Sequence, residues 1–258
     1  MLKTGDISRH IYECVSDHGR GLRVEEVRIG LGYVGVMLDG DRMGVAAVLR
    51  NELAPGCSTI GKAGRLAGSG ASQLLDLLIG GTNPLEKALG LATANALLCP
   101  DAGEEEQDSI ALMGLTSGDR VAMVGYFGPL VKRIQKTGAT LQIIEKDPRR
   151  TDQIPDRNDR DTLLAECSVA IITATSILNN TIEEILNGLG NPRHVTILGP
   201  STPLCEAAFA RTPVTHLGGS AISDPRKVMQ IISEGGGTPH MRPHLRFIDR
   251  TIERYADA

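Results

Sequence analysis

The chain has 258 residues, 41% of them hydrophobic and 22% charged, a composition suited to one large globular domain or two small ones. Its 27 basic and 31 acidic residues leave a formal net charge of −4, so no overall positive field exists to hold a phosphate backbone, and nucleic acid is not an expected partner. Aromatic residues make up only 3%, with no Trp, which excludes a broad stacking platform, while 30 glycines point to tight turns and close backbone approaches.

The opening MLKTGDISRHIYECV carries charges where a signal peptide has an apolar core, and no apolar run reaches the roughly 18 residues needed to span a bilayer. A cytoplasmic protein with no membrane partner is expected. Ile7, Ile11, Cys14 and Val15 share one face of an opening helix. Two β-rich runs follow, VEEVRIGLGYVGVML and RMGVAAVLR, joined by Asp39-Gly40-Asp41, a strong hairpin signal. A Gly-rich stretch from Gly56 to Gly70 precedes two predicted helices, SQLLDLLIG and PLEKALGLATANALL, the second capped by Asn83 with Pro84 at its first position. Residues 1–100 thus read as an α+β domain. From Asp101 to Asp108 five of eight side chains are acidic, and residues 101–107 are read as a linker.

From residue 108 to 258 short apolar runs alternate with helical stretches. Strands are predicted in RVAMVGYF, TLQIIEKD, VAIITAT, HVTILGP and VTHLGG, and runs apolar throughout are what a parallel sheet covered on both faces requires. This half reads as a doubly wound parallel sheet, so the fold class is α/β. Between Lys146 and Asp161 ten of sixteen residues are charged, five of each sign, which predicts an exposed loop. The tail HLRFIDRTIERYADA places Leu245, Ile248, Ile252 and Tyr255 on one helical stripe, for packing on its own domain or on a second subunit of a homo-oligomer.

Ligands of open parallel sheets bind beyond the carboxyl ends of the strands. The first such loop, Gly125-Tyr126-Phe127-Gly128, lacks the GxGxxG fingerprint, so a pyrophosphate-bound dinucleotide is not expected. Glu145 and Asp147, at the end of the second strand, have the position of acids that accept ribose hydroxyls, which suits a nucleoside-type ligand; Glu145 also suits a plain strand end beside a solvated loop. Thr173, Thr175, Asn179 and Thr181 in the next loops supply uncharged donors and acceptors, as do Pro200, Ser201 and Thr202, with Ser176, Asn180, Gly218 and Gly219 near them.

Gly56 to Lys62 approaches a phosphate-binding loop, but Ala63 stands where the magnesium-binding hydroxyl belongs. The alternatives there are a loop that closes Lys62 and Arg65 over an anionic ligand, or a plain connection. Five cysteines (Cys14, Cys57, Cys99, Cys167, Cys205) are scattered without a CxxC, and the odd count does not suit a secreted disulfide framework. Cys57 and Cys205 are candidates for reactive thiols or for small buried hydrophobes. His240 and His244 are spaced i, i+4, but Pro239 and Pro243 argue for a loop, so no metal ligand is assigned.

In order, VRIGLGYVGVML, GVAAVLR, EKALGLATANALL, VAMVGYFGPLV, TATSILNNTIEEIL and LGPSTPL resemble the two-domain putative heavy-metal chelation family. That resemblance implies an enolase N-terminal-like α+β domain, a Rossmann-like domain with partial likeness to methyltransferase sites, and a cleft between the two. By position it carries to Gly125, Phe127 and Gly128, to Asn179 and Thr181, and to Pro200, Ser201 and Thr202. It implies a small-molecule ligand, a metal-chelating metabolite related to pterins, flavins or siderophores, with a heavy metal or metal chelate as the accompanying group. The expectation is an enzyme acting on that metabolite. The alternatives are a non-catalytic metal-chelate carrier and an S-adenosylmethionine-dependent transferase.

Overall fold

The structure is a computed structural model that describes residues 1–100, 106, 108–145 and 156–253. Helix α1 (Asp6–Val15) buries Ile7, Ile11 and Val15, the apolar face its spacing predicts. Strands β1 (Val24–Ile29), β2 (Tyr33–Leu38) and β3 (Arg42–Ala47) form a three-stranded antiparallel sheet in that order. The run from Val24 to Leu38, expected as one segment, is therefore itself a hairpin turned at Gly30-Leu31-Gly32. The Asp39-Gly40-Asp41 turn pairs Leu38 with Arg42 as expected, with positive φ at Gly40 and Asp41.

The first predicted helix after the Gly-rich stretch is two short ones, α2 (Ala71–Leu75) and α3 (Leu77–Gly80). The second is α4 (Pro84–Leu97), whose cap Asn83 accepts from the amides of Leu85 and Glu86, both at 3.0 Å. It lies against β3 so closely that a Cβ at Gly44 would sit 2.1 Å from the Ala92 carbonyl oxygen.

The second half contains α5 (Ser109–Met113), β4 (Arg120–Val124), α6 (Gly128–Gln135), β5 (Thr140–Ile144), α7 (Arg157–Glu166), β6 (Val169–Thr173), α8 (Thr175–Leu178), α9 (Ile182–Gly188), β7 (His194–Leu198), α10 (Glu206–Phe209), β8 (His216–Ile222), α11 (Pro225–Ser233), α12 (Thr238–Met241) and β9 (Leu245–Thr251). Its six strands run β5-β4-β6-β7-β8-β9, all parallel except β9. Along β6, Ala170 and Ile172 face one apolar cluster and Val169 and Ile171 another, so both faces of the sheet are covered. This is the two-domain α/β fold expected.

Within the described part of the tail, Leu245–Thr251 is a strand and not the expected helix, and Tyr255 lies outside the described residues. Leu245 faces a cluster with α11 and β2, while Ile248 and Ile252 face the main core, so burial on two faces imitates a helical stripe. Gly218 and Gly219 lie within β8, opposite Asp249 and Ile248 of β9, and not in a strand-end loop. His240 lies in α12 and His244 in a 3-10 turn that follows it; Pro239 and Pro243 take first-turn positions, where proline is tolerated. The expected linker lies almost wholly outside the described residues. So does most of the predicted charged loop, although its end, from Arg157, opens α7.

One apolar core runs through both halves, from Ile7, Leu89 and Leu91 to Ile172, Ile177 and Phe209. Helix α1 packs on α3 and α4 of its own half and on α9 and α10 of the other, and α11 packs on β1 and β2. No helix among the described residues is long and apolar enough to cross a membrane.

Candidate functional site

Strand β4 pairs with β5 on one side and β6 on the other, so the chain reverses its winding there, the point where open parallel sheets bind ligands. Gly125 ends β4 with φ +88°, and its amide donates to the Ile144 carbonyl at 2.9 Å. A Cβ at Gly125 would lie 2.9 Å from both Cβ and Cγ2 of Thr173, so conformation and space both demand glycine. Thr173 Oγ1 lies 3.0 Å from Thr175 Oγ1, and Ser176 donates to the Thr173 carbonyl at 2.7 Å.

Beyond these strand ends opens a cleft of about 2260 Å³. Gly125, Phe127 and Gly128 line it, with Glu145 at the end of β5 and Thr173 and Thr175 at the end of β6. Asn179, Thr181, Pro200 and Ser201 complete the set the structure brings together. Asn179 donates to Glu52 of the N-terminal half at 3.4 Å and accepts from Thr181 Oγ1 at 2.7 Å. Leu31 to Tyr33 and Ala47 to Glu52 form the wall contributed by that half.

Other expected residues stand elsewhere. Asp147 lies outside the described residues. Thr202 is buried off the cleft wall, and its hydroxyl has no partner among the described residues. Lys62 and Arg65 are exposed and do not line the cleft. Their loop folds back on its own half because Ile60 and Leu66 enter the core and the Ser69 carbonyl accepts the Val24 amide at 2.9 Å. Cys57 is exposed on that loop, and Cys205 is buried, its thiol pushed up to about 12 by burial first and then by the neighbouring Cys14 thiol.

Sequence reasoning missed the third wall, Gly235 to Thr238 with Pro239, Arg242 and Phe247. Its one visible signal was the run Gly235-Gly236-Gly237. The Arg242 guanidinium stacks over the Phe247 ring, 4.5 Å from its centroid, and also pairs with Glu106. Tyr33 and Thr238 share a hydrogen bond of 2.7 Å, and burial raises the Tyr33 hydroxyl above its ordinary pKa. Tyr33, Tyr126, Phe127 and Phe247, four of the six aromatic residues among those described, thus line this cleft. Its other charges are largely paired: Arg133 with Asp108, whose carboxyl it holds below the usual range, and Arg160 with Glu184 at 2.6 Å. The Arg50 side chain has no partner among the described residues.

A family model described as "Putative heavy-metal chelation" matches residues 108–249, more than half of the chain. The chain belongs to this putative heavy-metal chelation family. A second model of the same description matches residues 12–98. Two solved members of unknown function share the fold. The one from Pyrococcus horikoshii has a TM-score of 0.81 at 20% identity, covering 96% of this chain and 100% of its own. The other, from Desulfitobacterium hafniense DCB-2, has a TM-score of 0.76 at 21% identity, covering 94% and 99%. No curated protein matches the chain.

The described residues of this putative heavy-metal chelation protein do not fit a heavy-metal ion held directly by side chains. Soft metals take thiolate or imidazole ligands, and no Cys or His is among the residues that line the cleft. Its acids Glu106, Asp108 and Glu184 are engaged by arginines, and Asp156 caps α7. No group of three or more His, Cys, Asp or Glu among the described residues is placed to hold a metal.

Proposed function

We propose that the protein is an enzyme that binds a small planar chelator-type metabolite, pterin-, flavin- or siderophore-like, in the cleft between its halves, and that any metal arrives as part of that molecule. The concentration of four of the six described aromatic side chains on one cleft supports this reading. Aromatic faces bind flat conjugated rings, and a chain so poor in aromatics has little reason to gather them otherwise. Thr173, Thr175 and Asn179 supply uncharged donors and acceptors for ring heteroatoms, Gly125 lets the backbone approach, and Glu145 accepts hydroxyls.

Native mass spectrometry of freshly purified protein, with metal analysis of the same sample, identifies the bound molecule. Phe247→Ala and Glu145→Ala are each expected to weaken its binding by about tenfold or more, the scale of one lost anchor contact. Unchanged affinity in both variants would remove the cleft from consideration. A non-catalytic chelate carrier is the second reading, favoured by the lack of Cys or His among the residues that line the cleft. It requires stoichiometric retention of a chelate without turnover. Glu145 also admits S-adenosylmethionine, and no thermal stabilisation at saturating cofactor would eliminate the transferase reading.

A further inference from the structure

We propose that Cys14 and Cys205 form a reversible disulfide that staples the N-terminal helix to the second half of the molecule. Cys14 lies in the last turn of α1, half-buried, and Cys205 is the buried residue at the N-terminal cap of α10. The two helices pack together, both cysteines belong to the same apolar cluster, and the neighbouring Cys14 thiol helps to raise the pKa of Cys205. The other cysteines are placed differently. Cys57 and Cys99 are exposed, and Cys167 is buried with its thiol directed to the Leu164 carbonyl at 3.3 Å.

A low-molecular-weight disulfide is the oxidant. The Cys14 thiolate attacks one of its sulfurs, the external S–S bond breaks, and the first small thiolate leaves and takes up a proton. Cys205 then gives its proton to solvent base and attacks the Cys14 sulfur of the mixed disulfide, which forms the Cys14–Cys205 bond and expels the second small thiol. Two protein thiols are oxidised and one external disulfide is reduced to two thiols. Burial keeps the Cys205 thiol at about 12, so the second step is slow at neutral pH and accelerates as pH rises. The bond would fix the segment following Ser201, which lines the cleft, to α1.

The test uses the full chain carrying Cys57→Ser and Cys99→Ser, incubated under native conditions with oxidised glutathione, acid-quenched, alkylated and digested without reduction. The expected product is a Cys14–Cys205 crosslinked peptide, formed faster at pH 9 than at pH 7, in protein whose melting temperature rises and returns on adding dithiothreitol. In the same background Cys205→Ala is expected to keep glutathione on Cys14, because nothing displaces it. A glutathione adduct on Cys14 that persists with Cys205 present, no modification of either residue, or a crosslink seen only in urea would overturn the proposal.

Discussion

The hydroxyl oxygen of Ser201 accepts a hydrogen bond from the Ala47 amide at 2.9 Å, across the two halves of the molecule. β3 is an edge strand, so this amide points out of its sheet and needs a partner. Asn95 on α4 completes the joint by donating to the Val45 carbonyl at 2.9 Å and the Ser201 carbonyl at 3.2 Å. Ser201→Ala is expected to lower unfolding free energy by about 1–3 kcal/mol, the cost of orphaning a partly buried donor. Urea midpoints measure this. Full stability combined with weakened ligand binding would give Ser201 a ligand-orienting role instead.

Glu183 stabilises a helix that belongs to the other half. It is 2% exposed, and its Oε1 accepts from the amides of Gly5 at 3.2 Å and Ile7 at 3.1 Å, at the start of α1. Gly5 has no side chain to do this, and a carboxylate also favours the positive end of the helix. Glu183→Ala is expected to cost about 2 kcal/mol, at the upper end for a lost cap, and Glu183→Gln less because it keeps an acceptor. Equal losses in thermal unfolding would assign the effect to charge alone.

Gly125→Ala meets two penalties, a left-handed backbone costing about 1–2 kcal/mol and a collision with Thr173. Adding Thr173→Ala removes Cγ2 but neither the Cβ contact nor the backbone strain, so the double variant should recover part of the lost stability. A neutral Gly125→Ala would show that the loop relaxes.

His194 makes stability depend on pH. Its ring stacks on His216 at 4.1 Å, and burial first, then the charges of His216 and Arg193, lower its pKa from 6.5 to about 4. The folded state therefore favours the neutral ring. This contribution is complete above 6.5 and is lost as pH falls toward 4, because the unfolded chain takes the proton first. Near pH 5 the loss should be about 2 kcal/mol, from urea midpoints at several pH values. His194→Gln should flatten that segment of the profile, and an unchanged slope would place its origin in the carboxylates.

Much of the fold was legible because its signals are local. Apolar runs such as Val169 to Ile172 mark strands covered on both faces, and Asn83-Pro84 and Asp39-Gly40 mark a cap and a turn. Leu245, Ile248 and Ile252 misled because a strand buried on two faces has no clean alternation. The β1–β2 hairpin was hidden because Gly30-Leu31-Gly32 carries no Asn-Gly or Asp-Gly signal.

By itself the sequence determined a parallel sheet and, through it, one edge of the cleft, since parallel strands must deliver their following loops to the same side. Gly125, Glu145, Thr173 and Asn179 follow from that rule alone. The tertiary structure decided the opposite walls. Tyr33 reaches the cleft because α11 packs on β1 and β2, and Phe247 because β9 pairs antiparallel with β8. Such placements depend on contacts between segments far apart in the chain, which leave no local pattern to read. Four of the sparse aromatics, Tyr33, Tyr126, Phe127 and Phe247, are brought by folding to one cleft.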